Sequence, residues 1–282
     1  MKIACVQMTT ACDPTENLAA IAKHVQAAAG TGAQLVALPE TCTFMEKNRA
    51  AMQARLETQA DSQVLVTLQN IAKANAVFLL VGSMILAENL AGEKTDKAVN
   101  RSVLIAPDGE VQAQYDKIHM FDVELEDGER HHESAAYRAG DRMVTCEANG
   151  VTLGLSICYD LRFPNLYRRL AEAGAQVIFV PSAFTKQTGE AHWQILLRAR
   201  AIETGCFIVA PAQVGCHENG RETYGHSLIV NPWGRIIAEA EADDALISAE
   251  LDLSLGERAR QQIPALQHGA DYLCPDGTPT QD

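Results

Sequence analysis

The sequence predicts an α/β fold in which helices cover mixed β-sheets. Helical segments alternate with short buried strands along the whole chain, as is typical of layered α/β proteins. Several solvated hairpins interrupt this alternation, and hairpins indicate mixed rather than purely parallel sheets. With 282 residues, 47% of them hydrophobic, the chain can bury the core of one large domain.

The first part of the chain is predicted to form strands at apolar runs and helices where apolar residues recur every three or four positions. In order, the predicted elements are a strand over 2–9, a helix from Asn17 to Ala29, a strand over 33–40, a helix capped by Asp61 that runs to about Ala74, a strand over 76–83 and a hairpin over 101–119. Asp108-Gly109 supplies the hairpin turn, because Asp-Gly tolerates the positive φ that tight hairpin turns need.

The second part is predicted to continue in the same way. Its elements are a hairpin over 142–160, a helix over 163–174, a strand over 175–184, a helix over 192–205, a strand over 206–213, a hairpin over 226–241, a strand over 245–251 and a helix from Ser254 to His268. Pro164 suits the first turn of its helix, and Gly174 suits the end. No change of composition divides the chain, so we expect one domain over residues 1–270 and a C-terminal tail over 271–282.

Composition excludes several classes of partner. The net charge is -13 and no basic cluster occurs, which argues against binding to nucleic acid or to anionic membranes. No apolar run reaches the roughly 18 residues of a membrane span, and the start does not resemble a signal peptide. These features predict a cytoplasmic protein.

The eight cysteines are scattered singly, without a CxxC pair, and we expect reduced thiols. We expect no metal site, although Cys216-His217 and His131-His132 could each supply half of one.

Three chemically reactive side chains follow predicted strands: Glu40, Lys117 and Cys158. Ligand sites in layered α/β proteins gather where strands end. A cysteine attacks as a thiolate, although a free thiol has a pKa of roughly 8.5, so Glu40 could serve as its general base. Lys117 and the backbone N–H of Tyr159 could stabilise an oxyanion. Taken singly, each residue also has a structural explanation: a loop-start glutamate, a solvated lysine and a core cysteine.

The segments "LVALPET", "YDKIHMFDV" and "GLSICYDLRFP" together resemble the nitrilase or carbon–nitrogen hydrolase superfamily, and the resemblance extends over almost the whole chain. It implies a four-layer αββα sandwich with two mixed sheets. It also implies a catalytic triad with Glu40 as base, Lys117 as oxyanion stabiliser and Cys158 as nucleophile, without metal or cofactor. A second glutamate often supports the lysine in this superfamily, and the resemblance places Glu133 there. Glu124, Glu126 and Glu129 lie close by.

Within the superfamily, "AHWQILLRARAIETGCFIVAPAQVG" and "TYGHSLIVNPWG" resemble the Nit1-type branch of deaminated glutathione amidases. The implied reaction cleaves a linear, non-peptide amide through a cysteine thioester, giving 2-oxoglutarate and cysteinylglycine. Two alternatives stay open. One is an omega-amidase acting on 2-oxoglutaramate or 2-oxosuccinamate, and the other is a non-catalytic binding protein on the same scaffold.

A small carboxylate-bearing amide needs a cationic partner in the protein. Arg162 is our first candidate, because its guanidinium can bind a carboxylate through two hydrogen bonds. It could instead pair with Asp160 or with another subunit. Phe184 and Thr185 are predicted to wall the pocket, although Thr185 could also cap the helix that enters at His192.

The resemblance also implies an assembly of several copies. Relatives are commonly homodimers or higher homo-oligomers. The segment over 198–205 and the C-terminal segment are the predicted subunit contacts.

Overall fold

Two six-stranded sheets form the centre of the molecule. The computed structural model describes residues 1–90, 93–124, 130–270 and 275. Numbered along the chain and given in spatial order, the strands of the first sheet are β16 (Ala245–Glu250), β1 (Lys2–Gln7), β2 (Leu35–Ala37), β3 (Phe78–Leu90), β4 (Glu93–Ile105) and β5 (Val111–Asp116). Those of the second sheet are β15 (Ile236–Glu239), β14 (Leu228–Val230), β11 (Phe207–Ala210), β10 (Val177–Phe179), β9 (Val151–Leu155) and β8 (Val144–Ala148).

Both sheets are mixed, as the sequence predicts. In the first sheet, β1, β2 and β3 are parallel neighbours and the other pairs are antiparallel. In the second sheet, β9, β10 and β11 are the parallel neighbours, and again the other pairs are antiparallel. The two sheets therefore repeat one pattern of pairing.

Helices cover the outer face of each sheet. They are α1 (Pro14–Gly30), α2 (Arg49–Arg55), α3 (Gln63–Asn75), α4 (Pro164–Glu172), α5 (Lys186–Thr204) and α6 (Ser254–Gln262). Ile3 and Cys5 on β1 face the core shared with the second sheet, whereas Ala4 and Val6 face α1 and α3. This alternation follows from the period of two along a strand. Since α4 and α5 pack on the second sheet, the predicted four-layer αββα sandwich is confirmed.

Two short antiparallel ladders lie outside the sheets, and the sequence patterns do not predict them. The first joins β6 (Asp122–Glu124) to β7 (Arg130–His132), and the second joins β12 (Val214–Cys216) to β13 (Glu222–Tyr224). Three-residue strands show too few alternations to be recognised from sequence. The strand β7 of the first ladder carries residues of the candidate site, and the connection between β12 and β13 carries Arg221.

The predicted starts of the first two helices are wrong by a few residues. The helix expected from Asn17 starts at Pro14, because the Asp13 side chain accepts a hydrogen bond from an amide of the first turn. The next long helix is capped by Ser62 and not by Asp61. The shorter Ser62 side chain occupies the cap position itself.

Two later helix boundaries also differ from the prediction. The helix expected at His192 starts at Lys186, and its first turns carry no apolar period because they border a cavity. The helix expected to reach His268 ends at Gln262, two residues before Pro264, as expected from the restriction that proline places on the preceding residue.

The proposed tail over 271–282 lies outside the described residues except for position 275, so the domain boundary stays a prediction. Within the described ranges, no helix combines the length and the apolar character needed to cross a membrane.

Candidate active site

A cavity of about 560 Å³ opens where strand ends of both sheets meet. Glu40 follows β2 and Lys117 follows β5, so both come from the first sheet. Cys158 follows β9 of the second sheet. All three side chains line this cavity, so residues far apart in the chain share one pocket.

The position of Glu40 depends on a close approach between β3 and the chain that leaves β2. A Cβ atom at Gly82 would lie 1.9 Å from the carbonyl oxygen of Leu38 and 2.5 Å from that of Pro39. Only glycine fits there without displacing backbone. Gly82 thus lets the segment before Glu40 turn into the space between the sheets.

The Glu40 carboxylate is 4% exposed and fully engaged by hydrogen bonds. Its Oε1 accepts from Lys117 Nζ at 3.0 Å and from Asn100 Nδ2 at 3.0 Å. Its Oε2 accepts from the backbone N–H of Ala183 at 2.8 Å. Burial alone would raise its pKa, but the positive charges of Lys117 and Arg221 outweigh burial and hold the pKa below the usual value. Glu40 is therefore a carboxylate at neutral pH.

Lys117 stands between two carboxylates. Its Nζ lies 3.0 Å from Glu40 Oε1 and 2.9 Å from each Glu133 oxygen. Burial alone would lower the pKa of Lys117, but Glu133 and Glu40 together raise it well above the usual value. The side chain is 2% exposed, and the arrangement keeps a positive charge inside the protein.

The four glutamates near the predicted supporting position have different surroundings. Glu133 binds Lys117 and also accepts a hydrogen bond from the Phe121 amide at 2.6 Å. Glu124 pairs with Arg130 instead. Glu126 and Glu129 lie outside the described residues.

Cys158 begins a short 3-10 turn, Cys158–Arg162, with a backbone φ of 48°. Positive φ is uncommon for a residue with a side chain. The turn is held by the buried Asp160 carboxylate, which accepts from the Ile157 amide at 2.8 Å and from Tyr115 Oη at 2.7 Å. The Cys158 amide donates to Pro181 O at 2.9 Å. These bonds fix the thiol at the cavity wall.

The thiol of Cys158 is protonated at rest. Burial, reinforced by the negative charge of Glu40, raises its pKa above the usual value despite the nearby Lys117. The Glu40 carboxylate interacts directly with the thiol. A neutral thiol, a carboxylate and an ammonium group thus lie side by side, and the carboxylate can accept the thiol proton when sulfur attacks.

The four predicted substrate-binding residues, Tyr159, Arg162, Phe184 and Thr185, also line the cavity. The Arg162 guanidinium carbon lies 5.9 Å from the centre of the Tyr159 ring and 5.6 Å from that of Phe184. Its terminal nitrogens lie 3.4 and 3.3 Å from His192 Nδ1. Arg162 does not pair with Asp160, which binds His119, Tyr115 and the Ile157 amide instead.

Thr185 directly precedes α5, but its hydroxyl makes no capping bond to a helix amide. Its Oγ1 bonds to Thr188 Oγ1 at 2.8 Å, and Thr188 also lines the cavity. Thr185 therefore occupies the N-cap position of this helix, which starts at Lys186 and not at His192, but its side chain supplies no capping bond.

Among the cavity residues that sequence patterns missed are Asn100 and Arg221. Asn100 lies within β4 and is 2% exposed, but the polar residues Arg101 and Ser102 follow it, so its burial leaves no signal in the sequence. Arg221 lies directly before β13 and donates to the Ala183 carbonyl oxygen. Nothing in its polar surroundings in the sequence distinguishes it from a solvated charge.

The two imagined metal half-sites do not form a larger group. Among the described residues, no cluster of three or more His, Cys, Asp or Glu side chains has the geometry to hold a metal ion. His217 uses Nδ1 on Thr10 O at 3.1 Å and Nε2 on Thr223 Oγ1 at 2.8 Å. That histidine ties the β12–β13 ladder to the chain after β1.

Comparison with known proteins gives a consistent result. The sequence profile of the carbon–nitrogen hydrolase family matches residues 2–261. The deaminated glutathione amidase of Synechocystis is 43% identical over 267 residues, which cover 94% of this chain and 96% of that protein. The crystal structure of the Caenorhabditis elegans NitFhit protein has a TM-score of 0.87 at 36% identity; the match covers 95% of this chain and 64% of NitFhit. Saccharomyces cerevisiae Nit3, a member of branch 10 of the nitrilase superfamily, has a TM-score of 0.83 at 29% identity, with 94% of each chain covered.

Proposed function

The chain belongs to the carbon–nitrogen hydrolase family and is an amidase, and from this premise we propose that it hydrolyses deaminated glutathione. The products are 2-oxoglutarate and cysteinylglycine. One observation carries the proposed chemistry: a thiol, a carboxylate and an ammonium group from both sheets line one cavity. The name of the Synechocystis relative supports the choice of substrate.

In the first half of the proposed reaction, Cys158 attacks the amide carbonyl carbon. As the sulfur–carbon bond forms, the thiol proton passes to Glu40, which is ionised and in contact with the thiol. The carbonyl oxygen becomes an oxyanion. Lys117 and the backbone N–H of Tyr159 stabilise it; losing one such donor costs roughly 3 kcal/mol in comparable sites.

In the second half, Glu40 returns its proton to the leaving nitrogen, and cysteinylglycine departs. The 2-oxoglutaryl group stays on Cys158 as a thioester. Glu40 then takes a proton from water, whose oxygen attacks the thioester carbon; the thiol leaves protonated and 2-oxoglutarate is released. Glu133 holds Lys117 in place from the side opposite Glu40.

The acyl part of the substrate carries a carboxylate, and Arg162 is its proposed partner. The guanidinium lies beside the Tyr159 and Phe184 rings. Phe184 and Thr185 are buried in the wall next to it.

A substrate panel tests the proposal. The purified protein is given deaminated glutathione, 2-oxoglutaramate and 2-oxosuccinamate at equal concentrations, and the released amine and keto acid are measured. We expect the highest kcat/KM with deaminated glutathione. Higher values for the two small amides would identify an omega-amidase. Failure to turn over any amide, with no thioester found by mass spectrometry, would favour a binding protein.

We further propose that the protein is a homodimer formed through α5. Ile195 and Ile202 on this helix are 70% and 58% exposed, and Trp233 beside them is 52% exposed. Large exposed apolar side chains in one patch often mark contacts between proteins. Light scattering of the wild type and of Ile202→Glu tests this, with dissociation expected in the variant. The cytoplasmic location stays a prediction from the sequence.

A further inference from the structure

The cavity contains unpaired arginines although the chain as a whole carries a net charge of -13. In the part of the chain that the structure describes, neither Arg162 nor Arg221 has a carboxylate at ion-pairing distance; their polar contacts are His192 and the Ala183 carbonyl. Arg130, which lines the same cavity, is paired with Glu124 at 2.6 Å. Arg162 and Arg221 are therefore available to an anionic ligand.

Arg221 is held in place by several hydrogen bonds, and its guanidinium keeps an N–H donor that has no partner among the described residues. Its amide donates to Asn219 Oδ1 at 2.9 Å, and its carbonyl oxygen accepts from the His217 amide at 2.9 Å. One terminal nitrogen donates to Ala183 O. Its Nε is buried and has no hydrogen-bond partner among the described residues. A buried donor without a partner costs free energy, and a ligand that supplied an acceptor would remove this cost.

Arg221 is linked to Glu40 through Ala183, whereas Arg162 lies on the side of Cys158. Ala183 links Arg221 to Glu40, because its carbonyl accepts from Arg221 and its N–H donates to Glu40 Oε2. The charge of Arg221, unlike that of Arg162, is one of the main influences that lower the pKa of Glu40. Arg162 instead extends from the turn that begins with the nucleophile and packs beside the Phe184 ring.

This difference assigns the two arginines to opposite parts of an amide substrate. In the proposed reaction, Glu40 delivers a proton to the leaving nitrogen, so the leaving group must lie next to Glu40. The chain beyond that nitrogen then extends toward Arg221. The acyl group, bonded to Cys158, lies on the side of Arg162.

We propose that Arg221 binds a carboxylate of the leaving group, so that the cavity selects amides with one carboxylate on each side of the scissile bond. This inference rests on the proposed function and extends it. Deaminated glutathione has such a pair, on its 2-oxoglutaryl and glycine parts. The leaving group of 2-oxoglutaramate is ammonia, which offers Arg221 no partner.

The test compares two compounds that differ only at the leaving-group carboxylate: deaminated glutathione and its C-terminal glycinamide. We expect the wild type to prefer the acid by roughly 10- to 100-fold in kcat/KM, the usual worth of a hydrogen bond to a charged group. Arg221→Met should bring the ratio of the two kcat/KM values close to one. This ratio is independent of any general loss of activity that affects both compounds equally. Arg221→Lys should give an intermediate ratio.

Arg130→Met is the matched control, since it removes an arginine of the same cavity that is already paired, and it should keep the wild-type ratio. Equal kcat/KM for acid and amide in the wild type would overturn the inference even if no variant folds. The same follows if Arg162→Met abolishes the ratio and Arg221→Met does not. Absence of turnover with both compounds would instead overturn the proposed function.

Discussion

The floor and the rim of the cavity use charged side chains in opposite ways. On the floor, Glu40 and Glu133 each accept a hydrogen bond from Lys117 within 3.0 Å. On the rim, Arg162 and Arg221 have no carboxylate partner among the described residues. A buried charge is tolerated only when it is paired, so the floor must be complete before substrate arrives. The rim has unpaired charges that a substrate can satisfy, and we infer that the floor supplies chemistry and the rim supplies selectivity.

The largest effect expected is on the floor. Cys158→Ala should lower turnover by roughly four orders of magnitude or more, because no other cysteine among the described residues lines the cavity and could form the proposed thioester. The fold should persist, since the change removes one sulfur atom beside an open cavity. Activity assays and circular dichroism measure the two effects. Cys146→Ser, a change on the remote strand β8, is the control, and retained activity in Cys158→Ala would refute the nucleophile assignment.

Lys117→Met should damage stability as well as rate. It leaves Glu40 and Glu133 buried without their shared cation, and breaking a buried pair in this way typically costs about 3–5 kcal/mol of unfolding free energy. Denaturant unfolding measures this loss. The double variant with Glu133→Gln should recover part of the stability and none of the turnover. Recovery of both would mean that Lys117 serves only the structure.

The floor also predicts an unusually flat pH profile. Glu40 has a lowered pKa and acts when ionised, so kcat/KM should fall only below about pH 4, near the usual glutamate value. Because the pKa of Cys158 is raised, kcat/KM should not show the increase near pH 8 that the ionisation of a free thiol would cause. Initial rates between about pH 3 and 10 check this. A rise in activity centred near pH 8 would contradict the assignment of Glu40 as the base.

The unfolding free energy should also depend on pH through Glu40 and Lys117, and the two residues should act at opposite ends of the pH range. The contribution of Glu40 is present above the unfolded pKa of about 4.3 and is lost as pH falls through its lower folded pKa. The contribution of Lys117 is present below about 10.4 and is lost as pH rises through its higher folded pKa. Glu40→Gln should reduce the loss of stability at acid pH. Melting temperatures measured as a function of pH would show this change.

The smallest effect is expected on the rim. Arg162→Met should raise KM for deaminated glutathione by roughly 10- to 100-fold, which is the usual worth of a hydrogen bond to a charged group, and should leave the unfolding free energy nearly unchanged. An amide without an acyl carboxylate is the control substrate and should show no comparable loss. A drop in kcat alone would place Arg162 with the floor and weaken the contrast between the two regions.

Sequence patterns predict the floor better than the rim, and the reason is physical. Glu40, Lys117 and Cys158 each follow a predicted strand, and the ends of strands collect at one edge of a layered fold. Arg221 reaches the cavity only because the short β12–β13 ladder is tied to the segment after β1. Such contacts between distant segments leave no periodic signal. The helix boundaries shifted for a local reason, since caps such as Ser62 depend on which of two adjacent polar residues fits.

The strand order has a consequence for how the chain matures during translation. β1 pairs with β16, so the first sheet receives its last strand after every part of the second sheet has been synthesised. A nascent polypeptide that stops before residue 245 already contains Glu40, Lys117, Glu133 and Cys158, yet its first layer is incomplete. Amidase activity should therefore appear only after β16 has been synthesised, and a chain that stops before residue 245 should contain Cys158 but be inactive.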